Sequence, residues 1–336
     1  MKPDTPSLSK DWQLTPPWTA KHLLLGMALL ALLAFTGARL EMPRMFAEIG
    51  EAIGYSAGLT EKSPVATGLG RIGQSIFPIQ IAEVTEVARI ENFDRDDLPL
   101  FARIEIQETK TAHLNTETLQ METGVEKKEV LVEPLGYLTI VLVKMVETLE
   151  IALWATVLSI LLSIPLAYYA ASNYSPNKLT YFLSRSSISL LRSVPELITA
   201  LFLVLAFGFG PIAGVLALAL HAAGFLGKFY AEDIENADRK PQQSLEAIGA
   251  GKLKTLWYGV LPQVMPQYVA YNLYILDRNV RMATVIGLVG AGGIGQELKG
   301  RFDMFQFGHV GTILVVIFIT VLLLDQFSAR TRKKLI

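Results

Sequence analysis

Apolar residues along this chain collect in long uncharged runs, separated by stretches where charge returns. A helix needs about 20 mostly apolar residues to cross a hydrocarbon core of roughly 30 Å, and runs of that order recur. Residues 22–38 (HLLLGMALLALLAFTGA) form the first. The next uncharged run covers 151–177, and helical apolar spacing reaches back through Leu138, Val141, Met145 and Leu149, which predicts an interfacial helix leading into a span. Residues 197–227 carry no charge, but GFGP at 208–211 interrupts them, because glycine favours a turn and proline cannot continue a helix. This pattern predicts two antiparallel spans, at 182–206 and 212–230. A fifth is expected from Val264 to Leu288 and a sixth from Val310 to Leu324. The expected fold is therefore an all-α polytopic membrane protein with six transmembrane helices.

Between the first two spans the period changes. Leu100–Gln107 (LFARIEIQ) and Glu129–Glu133 (EVLVE) alternate apolar and polar residues, as half-buried strands do. Residues 83–133 thus read as a small β-rich insert, and 43–54 and 69–81 as short amphipathic helices lying on a membrane surface. The chain divides into an amino-terminal segment with the first span (1–39), a linker (40–82), the insert (83–133) and the main membrane domain (136–336). It shows no internal repeat and no low-complexity tract.

Composition agrees: 51% of the residues are hydrophobic and 18% charged, against about 25% charged in soluble proteins. The absence of cysteine removes disulfides, thiolate zinc sites, thiol nucleophiles and iron–sulfur clusters. The four histidines, His22, His113, His221 and His309, lack metal-ligand spacing, which argues against a metal centre. A net charge of −1 hides a division: the insert holds 13 acidic and 6 basic residues, and the remainder 18 acidic and 24 basic. Lys2, Lys10 and Lys21, then Lys178, then Lys228, Arg239, Lys240, Lys252 and Lys254, then Arg330, Arg332, Lys333 and Lys334 fall on one side if every span crosses. Positive residues favour the cytoplasmic side, so both termini are expected there and the insert outside. TGA at 36–38 has the form of a signal-peptide cleavage site, but the preceding segment is long and carries Asp4 and Asp11, so the run reads as a retained span.

GAGGIG at Gly290–Gly295 satisfies the dinucleotide fingerprint, yet Val310 stands near where the ribose-binding acid belongs and only one apolar span follows. The alternative is a turn in which Gly290, Gly292, Gly293 and Gly295 permit close backbone packing. Near Gly251 and Lys252, Leu253 replaces the required serine or threonine and Glu246 the first glycine, so the chain has no phosphate loop. No catalytic residue, and no cofactor of its own, is expected.

PQQSLEAIGAGKLKTLWYGVLPQVMP, Pro241–Pro266, predicts a short helix, a turn at Gly249, a second amphipathic stretch and a new span opened by Leu261 and Pro262. This segment resembles the EAA loop of binding-protein-dependent ABC importer permeases, with Gly249 and Pro262 at the family's thirteen-residue spacing. It departs where Gln243 replaces the glutamate, although Glu246 lies one turn on. LLRSVPELITALF (190–202), FGPIAGVLALALHAAGFLGKFYAE (209–232), GVLPQVMPQ (259–267) and NVRMATVIGLVGAGGIGQEL (279–298) narrow the resemblance to the phosphonate-type permeases, similar to the PhnE family and its phosphite relatives. It covers roughly 136–336 and not the insert. It implies a MetI-like permease core in the bacterial inner membrane, with 241–262 as the coupling loop for a cytoplasmic ATPase that carries ATP and Mg. An external binding protein and a second copy of the chain are the other implied protein partners, with membrane lipid around them and no nucleic acid.

Charges inside spans are costly and mark functional candidates. Arg192 falls near mid-membrane, with Glu196 one turn on to neutralise it; Asp277, Arg278 and Arg281 cluster in the fifth span. Arginine's planar fork suits phosphorus oxyanions, so Arg192 and at least one of Arg278 and Arg281 are expected to line a path. The competing reading makes them structural ion pairs. Pro165, Pro195 and Pro266 are candidate kinks. A permease for another solute remains open. An ion-coupled transporter would call for inverted repeats, and a membrane-anchored sensor would need no coupling loop.

Overall fold

The computed structural model of the chain describes residues 20–335, apart from 92, 96, 97, 100 and 115–120. Lys2 and Lys10 of the orientation argument, and Leu100 of the strand expectation, lie outside the described residues. The chain forms two compact units that divide between Gln74 and Ser75.

In the first unit, α1 (Ala20–Arg39) is the expected apolar helix, with none of its residues buried. After it, α2 (Met42–Ser56) opens at Glu41, and Arg44 bridges Glu41 and Glu48 at 3.2 and 2.9 Å. The next helix, α3 (Pro64–Ile76), begins earlier than the periodicity suggested. Ser63 accepts from the Ala66 N–H at 3.2 Å and Pro64 fixes the first helical residue, while Pro78 forbids extension toward residue 81.

The second unit starts with a three-stranded antiparallel sheet in the order β1 (Glu83–Glu86), β3 (Met121–Glu133), β2 (Arg103–Leu114). Its register runs from Arg103 opposite Val132 to Leu114 opposite Met121. The β-rich expectation thus holds as a hairpin with one short added strand.

Helix α4 (Gly136–Ala170) runs 35 residues without a break, so the interfacial stretch and the second span are one helix. It packs along α7 (Pro211–Asn236), and both helices bury small residues: Ala152, Ala155, Ser159, Ser163 and Ala167 on α4, and Ala213, Gly214, Ala217, Ala219 and Ala231 on α7, where Gly214 lies against Ile151 and Gly227 against Leu166 of α4. Where lipid removes the hydrophobic drive between helices, close approach of small residues supplies the contact. Pro165 lies inside α4, and Pro266 inside α10 (Leu261–Gly287), and neither breaks its helix. The glycine turn leads to α11 (Gly293–Asp303), followed by α12 (Phe307–Leu335).

The straight third span does not form. Val194 and Pro195 are extended, and the segment is two helices, α5 (Lys178–Ser193) and α6 (Glu196–Phe207), bent by 89°. Proline lacks the N–H a helix would use and drives its predecessor out of the helical region. Of the candidate kinks, Pro195 alone marks a break. Among the described residues, α1, α4, α7 and α12 are long and apolar enough to cross a membrane, and the bent pair makes a fifth candidate. The apolar course of α10, 27 residues long, is interrupted by Asp277, Arg278 and Arg281.

Candidate translocation site and coupling segment

The break at Pro195 decides where the buried charge goes. With α6 turned away from α5, Glu196 does not neutralise Arg192 as helical spacing suggested; its Oε1 accepts from Arg278 Nη2 at 2.7 Å across the bundle. Its Oε2 lies 3.3 Å from His221 Nε2 on α7. Glu196 and His221 are both buried, at 8% and 7% exposure. The break also frees the Val194 carbonyl, which lies 3.1 Å from His221 Nδ1. Phe225, one turn along α7, carries the Arg192 guanidinium at 5.1 Å and that of Arg278 at 5.3 Å from its ring centre. Arg192 makes no ion pair among the described residues, and its Nε and the Arg278 Nη1 are buried donors without an acceptor. Two arginines therefore lie against one ring, and only Arg278 has a carboxylate partner. Cation–π contact offsets only part of that charge.

Arg281 differs. It bonds Asp277, as the spacing predicted, at 2.5 Å, and Asp325 on α12 at 3.3 Å. Asn279 between them is fully buried and donates to Thr156 on α4 at 2.9 Å. Asp277 and Arg281 thus brace α10 to α12, and Asn279, on another face, braces it to α4, whereas Arg278 faces the open cluster.

Just beyond the carboxyl end of α10, Gly290, Gly292 and Gly293 take positive φ of 91°, 84° and 71°. A Cβ on Gly290 would enter the Phe209 ring, and its backbone is held by the Gly210 N–H at 3.0 Å from its carbonyl. Gly295 lies against the Thr284 carbonyl, so α10 and α11 meet backbone to backbone. The amino end of α11 is capped by α4: Glu147 accepts from the Gly293 N–H at 3.0 Å and Thr148 from the Ile294 N–H at 2.8 Å. Where a dinucleotide turn would place a pyrophosphate, the chain places its own carboxylate. Gly290 and Gly295 sit where a side chain would collide with a neighbouring ring or carbonyl.

The segment from Asp238 to Pro262 folds as a short helix, a turn and the start of α10. Helix α8 (Arg239–Ala247) starts at Asp238, whose side chain accepts from the Lys240 N–H at 3.0 Å. It ends at Gly249, φ 87°, where the Gly249 and Ala250 N–H groups close on Glu246 and Leu245 carbonyls at 2.9 and 3.0 Å. Next come α9 (Lys252–Thr255), a π turn at 256–260, and Leu261 and Pro262 opening α10. Gln242 is the buried pin: its amide donates to the Ala237 and Asp238 carbonyls at 3.3 and 3.1 Å and accepts from the Tyr174 hydroxyl at 3.2 Å. Gln243 and Glu246 lie one turn apart on the exposed face. Burial, reinforced by the nearby Glu246 charge, pushes the Tyr174 hydroxyl above its ordinary range.

Sequence reasoning missed His221, Phe225, Asp325 and Gln242. A lone histidine in an apolar run gives no spacing signal, and pairs between distant helices leave none. The one available clue was the Val194–Pro195–Glu196 sequence itself, which marks a helix end and a new helix start.

Residues 163–332 match the family described as the binding-protein-dependent transport system inner membrane component. The chain is 64% identical over 261 residues to a phosphite transport system permease protein, HtxE, of Stutzerimonas stutzeri, covering 78% of this chain and 100% of that one. The phosphite transport system permease protein PtxC of the same organism is 43% identical over 56% of this chain and 69% of its own length. In fold, an inward-facing structure of the MetNI methionine ABC transporter matches 59% of this chain and 97% of its own, with a TM-score of 0.53 at 21% identity. An apolar helix bundle with a coupling segment and a glycine-packed turn thus joins these matches in one conclusion: the chain belongs to the binding-protein-dependent inner membrane permeases of ABC importers, in their PhnE-like group.

Proposed function

We propose that this permease carries a phosphite or phosphonate oxyanion along a path bordered by α5, α6, α7 and α10, with Arg192 and Arg278 as its anion contacts and Glu196 as their counter-charge. The reading rests on one observation: two guanidiniums lie on Phe225, each with a buried N–H lacking an acceptor, and only that of Arg278 has a carboxylate partner. A phosphorus oxyanion offers the missing negative charge and acceptors, and bidentate arginine suits its oxygens. The relationship to HtxE, named for phosphite transport, supports that class. Arg281, already bonded to two aspartates, braces the path wall.

The six spans are α1, α4, the bent α5 and α6, α7, α10 and α12. Contacts in the second unit support opposite ends for the insert and the coupling segment. Glu83 on β1 meets Arg301 on α11 at 3.3 Å, and the Gln80 N–H meets the Gly308 carbonyl at 3.1 Å, whereas Tyr174 joins α8. The lysine and arginine distribution places both termini and the coupling segment in the cytoplasm and the 83–133 sheet outside. There Gln243, Glu246 and Gly249, with the Leu261–Pro262 hinge behind them, engage the ATPase subunit, which holds ATP and Mg. An external binding protein delivers substrate, and a second copy of the chain completes the path.

Binding-protein-dependent ATP hydrolysis in proteoliposomes, with phosphite, phosphonate, phosphate and methionine compared, tests the proposal. Stimulation by a phosphorus oxyanion is expected; stimulation by methionine alone overturns the substrate class. Mass measurement of the same complex decides the partner, since a second, different permease chain would replace the homodimer.

A further inference from the structure

The bonds around His221 constrain one proton. A carbonyl can only accept, so the 3.1 Å contact with the Val194 oxygen requires hydrogen on Nδ1. A neutral ring so protonated turns a lone pair at Nε2 toward the Glu196 Oε2, 3.3 Å away. Two lone pairs do not bond. The contact is favourable only when a second proton lies between the ring and the carboxyl, as imidazolium with carboxylate or as imidazole with carboxylic acid. The charged groups facing the ring are Glu196 on α6, Arg278 on α10 and, across Phe225, Arg192 on α5. Helix α4 brings none at this depth, since 151–177 is uncharged.

We propose that His221 is a positioning residue for the anion site: with the shared proton it draws the Glu196 charge away from Arg278, which loosens the 2.7 Å ion pair between them and leaves Arg278 available to the oxyanion, and without that proton the full Glu196 charge stays on Arg278 and closes the site. In the protonated site the histidine–glutamate pair is neutral overall, and both arginines remain to attract an anion. Deprotonation leaves one unneutralised arginine. Transport should therefore decline as pH rises through the histidine range, about pH 5 to 8. This inference rests on the anion-path reading above.

The test is uptake of radiolabelled phosphite by the complete transporter in proteoliposomes at pH 6 and pH 8, comparing wild type with His221→Gln and Glu196→Gln. Dividing each variant's pH 6 to pH 8 ratio by the wild-type ratio cancels titration of the substrate, binding protein and ATPase. Glu196→Gln keeps an acceptor for Arg278 but no titratable charge, so its uptake should hold at pH 8 while wild type falls about tenfold, a usual size for linked binding equilibria. His221→Gln should also flatten the profile. If His221→Gln does not assemble, Glu196→Gln decides alone. A wild-type profile retained by assembled Glu196→Gln overturns the proton inference and leaves the path reading standing. Full uptake by Arg192→Gln and Arg278→Gln overturns the path reading itself.

Discussion

Arg301 and the pair Arg192 and Arg278 show what the same side chain does in two regions. At the end of the bundle beside the sheet, Arg301 bonds Glu297 at 2.8 Å, Gln306 at 2.8 Å and Glu83 at 3.3 Å, and its guanidinium lies 4.5 Å from the Tyr137 ring centre. Every nitrogen has a partner, and four segments, β1, α4, α11 and the loop before α12, are tied at one point. In mid-bundle, Arg278 has one carboxylate partner and Arg192 none, and each keeps a buried N–H group open. A buried donor without an acceptor is costly unless something supplies one. The arginine beside the sheet is fully paired within the structure, whereas the two on Phe225 each keep an open donor.

Substitution should separate the two most sharply in transport. Arg192→Gln or Arg278→Gln is expected to cut phosphite uptake by about 100-fold, the scale for losing a charged donor in a desolvated contact. Assembly with the ATPase, followed by size-exclusion chromatography, should persist for Arg192→Gln, which leaves no carboxylate unpaired. Arg301→Met should do the reverse. Removing one partner from a buried ion cluster costs about 3 kcal/mol, so thermal unfolding of the detergent-solubilised protein should shift downward while uptake per assembled complex changes little. If Arg301→Met abolishes transport in a stable complex, the division between structural and open arginines fails.

Arg281 sharpens the contrast from the middle. It is 43% exposed and has two aspartate partners, Asp277 and Asp325. Such pairs contribute roughly 0.5 kcal/mol, so Arg281→Gln should leave uptake within about threefold of wild type. A loss as large as that for Arg278→Gln would place Arg281 in the path after all.

What was legible in the sequence followed from locality. The spacing of Gly249 and Pro262, thirteen positions, the glycine run at 290–295 and the alternation in 129–133 are each set within a short local stretch, so the chain displays them directly. Asp277 and Arg281 are one helical turn apart and did pair. Glu196 failed the same test because the helix needed to carry Arg192 toward it stops at Pro195. Its true partners, His221 and Arg278, lie on other helices, 25 and 82 positions away in sequence. Long α4 hid its unity because charged Lys144, Glu147 and Glu150 interrupt the apolar run, although two of them serve the α11 cap. Short-range periodicity reads elements; it does not read which charges meet across a bundle.

The smallest effect belongs to a buried polar contact that uses no arginine. Tyr174, in the loop after α4, donates to Gln242 at 3.2 Å, and Gln242 in turn holds the start of α8. Neutral hydrogen bonds of this kind contribute about 1 kcal/mol, so Tyr174→Phe should lower stability by that order in thermal unfolding of the solubilised protein. The hydroxyl's raised pKa adds a second signature. In the unfolded chain tyrosine ionises near about pH 10, below its folded value, so the wild-type advantage is fully present below that pH and is lost as pH rises toward the folded value. Tyr174→Phe has no such group. The stability difference between the two should therefore be constant through neutral pH and shrink above about pH 10. A difference that instead grew with pH would mean that Tyr174 ionises more readily when folded, and that the coupling end of the bundle, like its centre, holds an uncompensated positive charge.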